Sequence, residues 1–288
     1  MPTLIVPRGH ANTQQACDLL RPALHLPQIT LDLSQLTFVG PLFLVRLRAW
    51  LDLHSEAGVQ VKVVPPARGD VCRYMSRMHV HHGLGPNVEF ALPDVNEADR
   101  GDRLIAVTKL DATGNSQFDE LLGDLLDSPD MAGASYLAEV VDGAAQEMAL
   151  NAVDHGANST GAYVAAQRFR RPRAAVPFAC VLAVGDLGIG MAEHLRRGGQ
   201  DRGTDAATII HGLDDLVSGT GDQWRGRGYS VPFELAAQKS AAYTELRVRA
   251  NGGWVVKRSD RAAEEIKLVR PDSGPGTWVE FEFGHADT

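Results

Sequence analysis

The 288-residue sequence has little cysteine, few aromatic residues and no long apolar run. Its three cysteines, Cys17, Cys72 and Cys180, are odd in number and widely spaced, which argues against a disulfide framework or a cysteine-rich zinc site. No segment approaches the ~18–20 apolar residues of a membrane span, and the first ten residues lack the pattern of a signal peptide. We therefore expect buried, reduced cysteines and a cytoplasmic protein.

Basic residues are also in the minority. The chain has 28 Lys and Arg against 36 Asp and Glu, a net charge of -8 at pH 7. This balance argues against broad electrostatic binding of nucleic acid or of an anionic membrane. With 44% hydrophobic and 22% charged residues, the composition is that of an ordinary globular protein, and the length predicts two domains or one large domain.

The first 90 residues alternate between apolar strand and helix patterns, which predicts a small α/β layer. The predicted strands are Leu4–Val6, Ile29–Leu33 and Val59–Val64, and the predicted helices are Thr13–Leu24 and Leu42–Leu53. A polar stretch with Pro, Asn and Gly follows at Leu92–Arg103. We therefore predict one domain over residues 1–95, a linker with a connecting strand and helix over 96–130, and a second domain over 131–288.

The second part of the chain predicts a helix layer on a sheet, so the expected fold class is α/β, in a two-layer α+β arrangement. The predicted helices are Ser116–Leu126, Ala134–His155 and Val231–Ala241. The predicted strands are Leu104–Thr108, Ala162–Phe169, Phe178–Val184, Thr244–Val248, Trp254–Val256 and Thr277–Phe283. The last strand alternates apolar and acidic residues, which indicates one buried face.

The longer helix carries four polar residues close together, Glu147, Asn151, Asp154 and His155. Positions four apart share a helix face, so Glu147, Asn151 and His155 form a row with Asp154 beside it. An amide oxygen can ligate Mg²⁺, and an acid one turn earlier can accept a proton from a nucleophile. A solvated polar helix face is the alternative interpretation.

Three glycine-containing segments follow the helix. Asp186, Gly188 and Gly190 come directly after an apolar strand, where a carboxylate can accept from a purine amino group and glycines allow close backbone approach. Gly226, Gly228 and Tyr229 precede a predicted helix, whose N-terminus is suited to an anion. Thr277 begins the last strand. A tight turn and a flexible loop are the alternatives for the first two segments.

The order and content of these four motifs resemble the GHKL nucleotide-binding superfamily, which includes DNA gyrase, histidine kinases and mismatch-repair ATPases. Its N box resembles the helix motif, its two glycine boxes resemble the segments at 186–190 and 226–229, and its late threonine resembles Thr277. The resemblance covers residues 134–283. It implies a Bergerat-type ATP-binding sandwich with a mobile lid, here Met191 to Arg225.

The resemblance also implies roles for single residues. Asn151 would bind Mg²⁺, Asp186 would bind adenine, and the glycine boxes would surround the phosphates of ATP. Glu147 would be the general base for water or for a protein hydroxyl. Because a glutamate precedes the asparagine by one turn, the similarity is greater to serine-kinase anti-sigma factors than to two-component histidine kinases.

The N-terminal part resembles the STAS domain of anti-sigma-factor antagonists. The similarity lies in the strand that ends Asp32-Leu33-Ser34 and in the turn that follows it. The family has a phosphate-accepting serine at that turn, where this chain has Gly40-Pro41-Leu42. The resemblance therefore implies a degenerate STAS-like domain without the acceptor, which either regulates the ATP-binding domain or covers an apolar face of it.

Three functions remain open at this stage. The first is an ATP- and Mg²⁺-dependent kinase for a hydroxyl on a separate protein, such as an anti-sigma antagonist or another signalling protein. The second is an ATP-driven switch without phosphoryl transfer to protein, and the third is a binding module with vestigial ATP binding. Glu147 and Asn151 argue against the third, and a homodimer is compatible with all three.

Overall fold

Two sheets of different type organise the fold, and they confirm the predicted mixed α/β class. The computed structural model describes residues 2–6, 9–10, 20–95, 103–110, 115–127, 135–156, 161–170, 178–213, 233, 242–259, 261–266 and 274–285.

The first sheet is parallel and has four strands in the order β1-β3-β5-β6. The elements of this part are β1 (Thr3–Ile5), β2 (Gly9–His10), β3 (Gln28–Asp32), β4 (Leu36–Phe38), α1 (Pro41–Glu56), β5 (Gln60–Val64), α2 (Gly69–Arg77) and β6 (Val88–Glu89). Strands β2 and β4 form a separate parallel pair. Parallel strands need crossover connections, and α1 and α2 supply two of them.

The second sheet has seven strands in the order β12-β11-β10-β13-β9-β8-β7, and all its neighbours are antiparallel. The elements of this part are β7 (Leu104–Leu110), α3 (Asn115–Leu126), α4 (Ser135–Gly156), β8 (Ala162–Arg170), β9 (Phe178–Asp186), α5 (Met191–Arg197), α6 (Asp205–Gly212), β10 (Ala242–Ala250), β11 (Gly253–Arg258), β12 (Arg261–Glu265) and β13 (Thr277–His285).

Both faces of the second sheet are covered over its β7–β9 side. On one face, α3 packs on β7 and α4, α4 packs on β8, β9 and β13, and Phe118, Leu122 and Met148 share one buried cluster with Val184 and Phe281. The opposite face packs against α1 and belongs to the core of the first sheet. Helix α1 therefore lies between the two sheets and joins them.

This middle position explains the composition of α1. Most of its 16 residues are buried, and apolar side chains such as Phe43, Leu47 and Trp50 point in several directions. A helix that is apolar on more than one side is expected where two layers enclose it. Pro41 occupies the first turn of the helix, where a backbone N–H is not needed. The Gly40-Pro41-Leu42 segment, which has no serine, is therefore a favourable helix start.

Several buried polar groups in this layer are paired. The Tyr163 hydroxyl on β8 donates to Asp52 Oδ2 at 2.8 Å, and Arg48 Nε donates to the same carboxylate at 3.0 Å. His54 Nε2 accepts from Ala23 N at 3.1 Å, and its Nδ1 lies 2.7 Å from Trp50 O. Burial lowers the pKa of His54, which favours the neutral ring that this arrangement requires.

Most predicted elements are present, with different ends. The helix predicted at Leu42–Leu53 spans Pro41–Glu56, and the strand predicted at Thr244–Val248 spans Ala242–Ala250, so both extend beyond the prediction at each end. The helix predicted at Thr13–Leu24 lies largely outside the described residues, and its described end, residues 20–24, is not helical. The helix predicted at Val231–Ala241 lies outside them too, except for Phe233.

Candidate functional site

Asp186 is the last residue of β9 and is 1% exposed. Its Oδ1 accepts from Gly188 N at 2.7 Å, and its carboxylate also accepts the backbone N–H of Thr277. Burial raises the pKa of Asp186 to about 7, although the two N–H groups favour the ionised form. Carboxyl groups with a raised pKa concentrate at functional sites, so Asp186 is a candidate ligand-binding acid.

Thr277 meets Asp186 because β9 and β13 are neighbours, with Gly185 paired to Trp278. The Thr277 hydroxyl oxygen accepts from Met191 N at 2.9 Å, at the start of α5. Gly276 has a φ of +91°, and a Cβ there would lie 1.8 Å from the Asp186 carbonyl oxygen. Only glycine therefore allows the chain to enter β13 this close to Asp186.

Gly188 and Gly190 form the connection from β9 to α5. Gly190 has a φ of +85°, and a Cβ on it would lie 2.4 Å from Asn251 Oδ1. Gly188 contributes the backbone N–H that reaches Asp186. The three predicted residues Asp186, Gly188 and Gly190 thus form a tight loop, and hydrogen bonds from the loop tie it to Thr277.

Glu147 and Asn151 lie one turn apart on α4, as their spacing predicts. Asn151 Nδ2 donates to Glu147 Oε1 at 3.2 Å, and both side chains are partly exposed. This bond turns the amide nitrogen toward the acid, which leaves Asn151 Oδ1 as the atom with ligand capacity. A carboxylate beside an amide oxygen is a donor set that suits Mg²⁺.

The helix and the loop share one face of the sheet. Helix α4 packs on β8, β9 and β13 on the side of Val184 and Val279. Side chains alternate along a strand, so Asp186 and Thr277 point to the same side as Val184 and Val279. Helix α4, which carries Glu147 and Asn151, therefore lies on the same face of the second sheet as the side chains of Asp186 and Thr277.

Five predicted site residues cannot be located in this way. Asp154 and His155 belong to α4 by their backbone, but their side chains lie outside the described residues. Gly226, Gly228 and Tyr229 lie wholly outside them. Their roles remain predictions from the motif.

The described part of the segment after Gly190 contains two helices and is not a simple loop. Residues 191–213 of the lid predicted over Met191–Arg225 form α5 and α6, and Ala192 and Ile209 are buried in the core of the second sheet. Arg196 pairs with Asp205 and with Asp201, so its guanidinium is occupied within this helix pair. Apolar spacing in MAEHL and AATII explains the packing.

Sequence reasoning missed two tertiary contacts that bear on the site. Asn251 reaches the 186–190 loop from the β10–β11 turn, where its Nδ2 donates to Ile189 O at 2.9 Å. Tyr163, which bonds to Asp52 of α1, pairs in register with Gly185. The Asn251-Gly252 dipeptide indicates a hairpin turn, but no local pattern predicts what its side chain contacts.

No protein-family model matches the chain, and a search of curated proteins finds no significant match. Among the described helices, none combines the length and the apolar character needed to cross a membrane. The GHKL and STAS resemblances therefore depend on the motifs.

Proposed function

We propose that the chain binds Mg-ATP on the α4 face of the second sheet and transfers the γ-phosphoryl group to a hydroxyl on a partner protein. The observation that carries this proposal is the convergence of Asp186, Gly188 and Thr277. Asp186 and Gly188 belong to one loop and Thr277 is distant in sequence, yet hydrogen bonds join this loop to Thr277 where β9 ends and β13 begins. The side chains of Asp186 and Thr277 lie on the same face of the second sheet as α4, where Glu147 and Asn151 are paired.

Each residue has a role in this proposal. The Asp186 carboxylate accepts from the adenine amino group, the bare backbone at Gly188 allows the ring to approach, and Gly190 leaves room for the Asn251 amide against the loop. Asn151 Oδ1 binds Mg²⁺, which neutralises charge on the phosphates. Glu147 accepts the proton of the attacking hydroxyl as its oxygen bonds to the γ-phosphorus and ADP leaves.

The remaining motif residues complete the site by resemblance. Asp154 and His155 belong to the same motif as Glu147 and Asn151, and the resemblance implies that Gly226, Gly228 and Tyr229 bind the phosphates. The proposed substrate is a serine or threonine on an anti-sigma antagonist or similar signalling protein. The STAS-like part of this chain offers no hydroxyl at Gly40-Pro41-Leu42, so we propose a separate acceptor.

A second candidate function is an ATP-driven switch without transfer to protein. The contact between Tyr163 and Asp52 favours it, because this buried bond links α1 to the strand residue paired with Gly185. A shift of Asp186 on nucleotide binding would also move its neighbour Gly185. The pairing of Gly185 with Tyr163 and the bond from Tyr163 to Asp52 would pass this shift to α1 and the first sheet. In this case water is the acceptor, or hydrolysis is absent.

Incubation with γ-labelled ATP and Mg²⁺ tests the proposal. The assay includes an antagonist protein that has a serine acceptor, with wild type, Glu147→Gln and the control Glu120→Gln, which changes an exposed glutamate of α3. We expect label on the antagonist with wild type and Glu120→Gln, and none with Glu147→Gln. Free phosphate alone supports the switch, and no binding of ATP contradicts both functions.

A further inference from the structure

Asn251 begins the two-residue turn between β10 and β11. Ala250 pairs with Gly253, and Asn251 has a φ of +51°. Asparagine is one of the few residues besides glycine that adopts positive φ readily, so it suits the first position of a tight hairpin turn. Turn chemistry therefore explains the backbone of Asn251, but it does not explain the contacts of its side chain.

The Asn251 side chain holds both ends of the same short segment. Its Nδ2 donates to Ile189 O at 2.9 Å, and its Oδ1 accepts from Glu193 N at 3.4 Å. Between these two positions, Gly190 packs so closely that a Cβ would lie 2.4 Å from Asn251 Oδ1. One amide thus contacts the loop and the first turn of α5.

The turn itself is anchored on its other side. Gly252 N donates to Asp205 Oδ2 at 2.7 Å, and Asp205 pairs with Arg196 of α5. The α5 start receives a further bond, from Met191 N to the Thr277 hydroxyl. Gly190 occupies the N-cap position of α5 and has no side chain that could cap the helix. Acceptors from β13 and from the hairpin therefore bind the N–H groups of the first turn of α5.

We propose that Asn251 is a positioning residue, which holds the 186–193 loop in the conformation that binds adenine. This role rests on the proposed function, because it acts through Asp186 and the loop glycines. Asn251 itself does not need to touch the nucleotide. Removal of its side chain should free the loop, and the nucleotide must then order the loop as it binds.

Three variants separate this role from the turn. Asn251→Gly keeps a residue suited to positive φ and removes both side-chain contacts, whereas Asn251→Asp keeps the size and replaces the N–H donor with an acceptor facing Ile189 O. Asn87→Gly is the control, since the Asn87 amide also donates to backbone carbonyls, those of Ser55 and Val59, but in the first sheet.

Two measurements are made on the full chain: amide hydrogen exchange over residues 187–193 without nucleotide, and affinity for Mg-ATP. For both Asn251 variants we expect faster exchange and roughly three- to tenfold weaker affinity, the effect of one or two lost hydrogen bonds. Asn87→Gly should change neither property.

Unchanged exchange in both Asn251 variants would overturn the positioning role. Faster exchange with wild-type affinity would overturn it as well, since the loop would then not matter for binding. If wild type binds no nucleotide, the proposed function fails. Faster exchange in that case would still establish Asn251 as the residue that fixes the loop.

Discussion

Asp52 and Asp186 are both buried carboxylates, but in the described part of the chain only Asp52 has a cation among its hydrogen-bond partners. Asp52 is 8% exposed and receives Arg48 at 3.0 Å and the Tyr163 hydroxyl at 2.8 Å. Asp186 is 1% exposed, and its partners among the described residues are the backbone N–H groups of Gly188 and Thr277. Without a cation beside it, burial raises the pKa of Asp186 to about 7.

The difference separates a structural acid from a candidate binding acid. The charge of Asp52 is neutralised inside the fold, where it fixes α1 against β8. The ionised form of Asp186 is unfavourable in the free protein, and perturbed groups of this kind concentrate at functional sites. This contrast supports our proposal that the α4 face of the second sheet binds the ligand, whereas the α1 face stabilises the fold.

The largest effect is expected for Asp52→Ala. This change removes the carboxylate that accepts from the mostly buried Arg48 and from the Tyr163 hydroxyl, and leaves the Arg48 guanidinium with the His82 carbonyl oxygen as an acceptor. Loss of one partner of a buried pair costs about 3 kcal/mol or more of unfolding free energy. Urea denaturation measures this, and a loss below about 1 kcal/mol would show that Asp52 is not structural.

A smaller effect is expected in the pH dependence of Asp186→Asn. The pKa of Asp186 is higher in the folded state than in the unfolded state, so the folded state binds the proton more tightly. Its stabilising contribution is present below pH ~4 and is lost as the pH rises through about 7. Between pH 5 and pH 7, wild type should lose about 2 kcal/mol relative to Asp186→Asn.

Denaturation curves at several pH values provide the measurement. Asp201→Asn is the control, since Asp201 is exposed and the Gly203 N–H lowers its pKa, so this acid has no such dependence in the neutral range. Parallel curves for wild type and Asp186→Asn would remove the distinction between the two buried acids.

The smallest effect is expected for Tyr163→Phe, which removes one hydroxyl and leaves Asp52 paired with Arg48. The unfolding free energy should fall by about 1 kcal/mol. The affinity for Mg-ATP should stay the same, because the hydroxyl points to the α1 face. Titration of the variant with Mg-ATP checks this, and a clear change in affinity would instead support the switch that links the two sheets.

Much of the fold could be predicted where elements are long and periodic. The apolar stripe of α3 and the alternation of β13 predicted both elements. Helix α2 was not predicted, although Val71, Cys72 and Met75 have helical spacing and are buried, whereas β12, the polar edge strand RAAEE, gives no periodic signal. Short elements at edges depend on neighbours that only the folded chain supplies.

The candidate site divides in the same way. Spacing and glycine content identified Glu147, Asn151, Asp186 and Thr277, since each belongs to a local motif. The bonds from Asn251 to Ile189 and from Tyr163 to Asp52 join residues 62 and 111 positions apart. Contacts of that kind leave no periodic pattern in the sequence, so they could not be predicted.

Calorimetric titration of the full chain with Mg-ATP tests the central claim most directly. Wild type should bind saturably, and ligand at 100 times its dissociation constant should stabilise the fold by about 2.7 kcal/mol. Asp186→Asn should bind at least tenfold more weakly, while Asp201→Asn should match wild type. Equal affinity of wild type and Asp186→Asn, or no binding by wild type at millimolar Mg-ATP, would contradict the proposal that a nucleotide binds at Asp186.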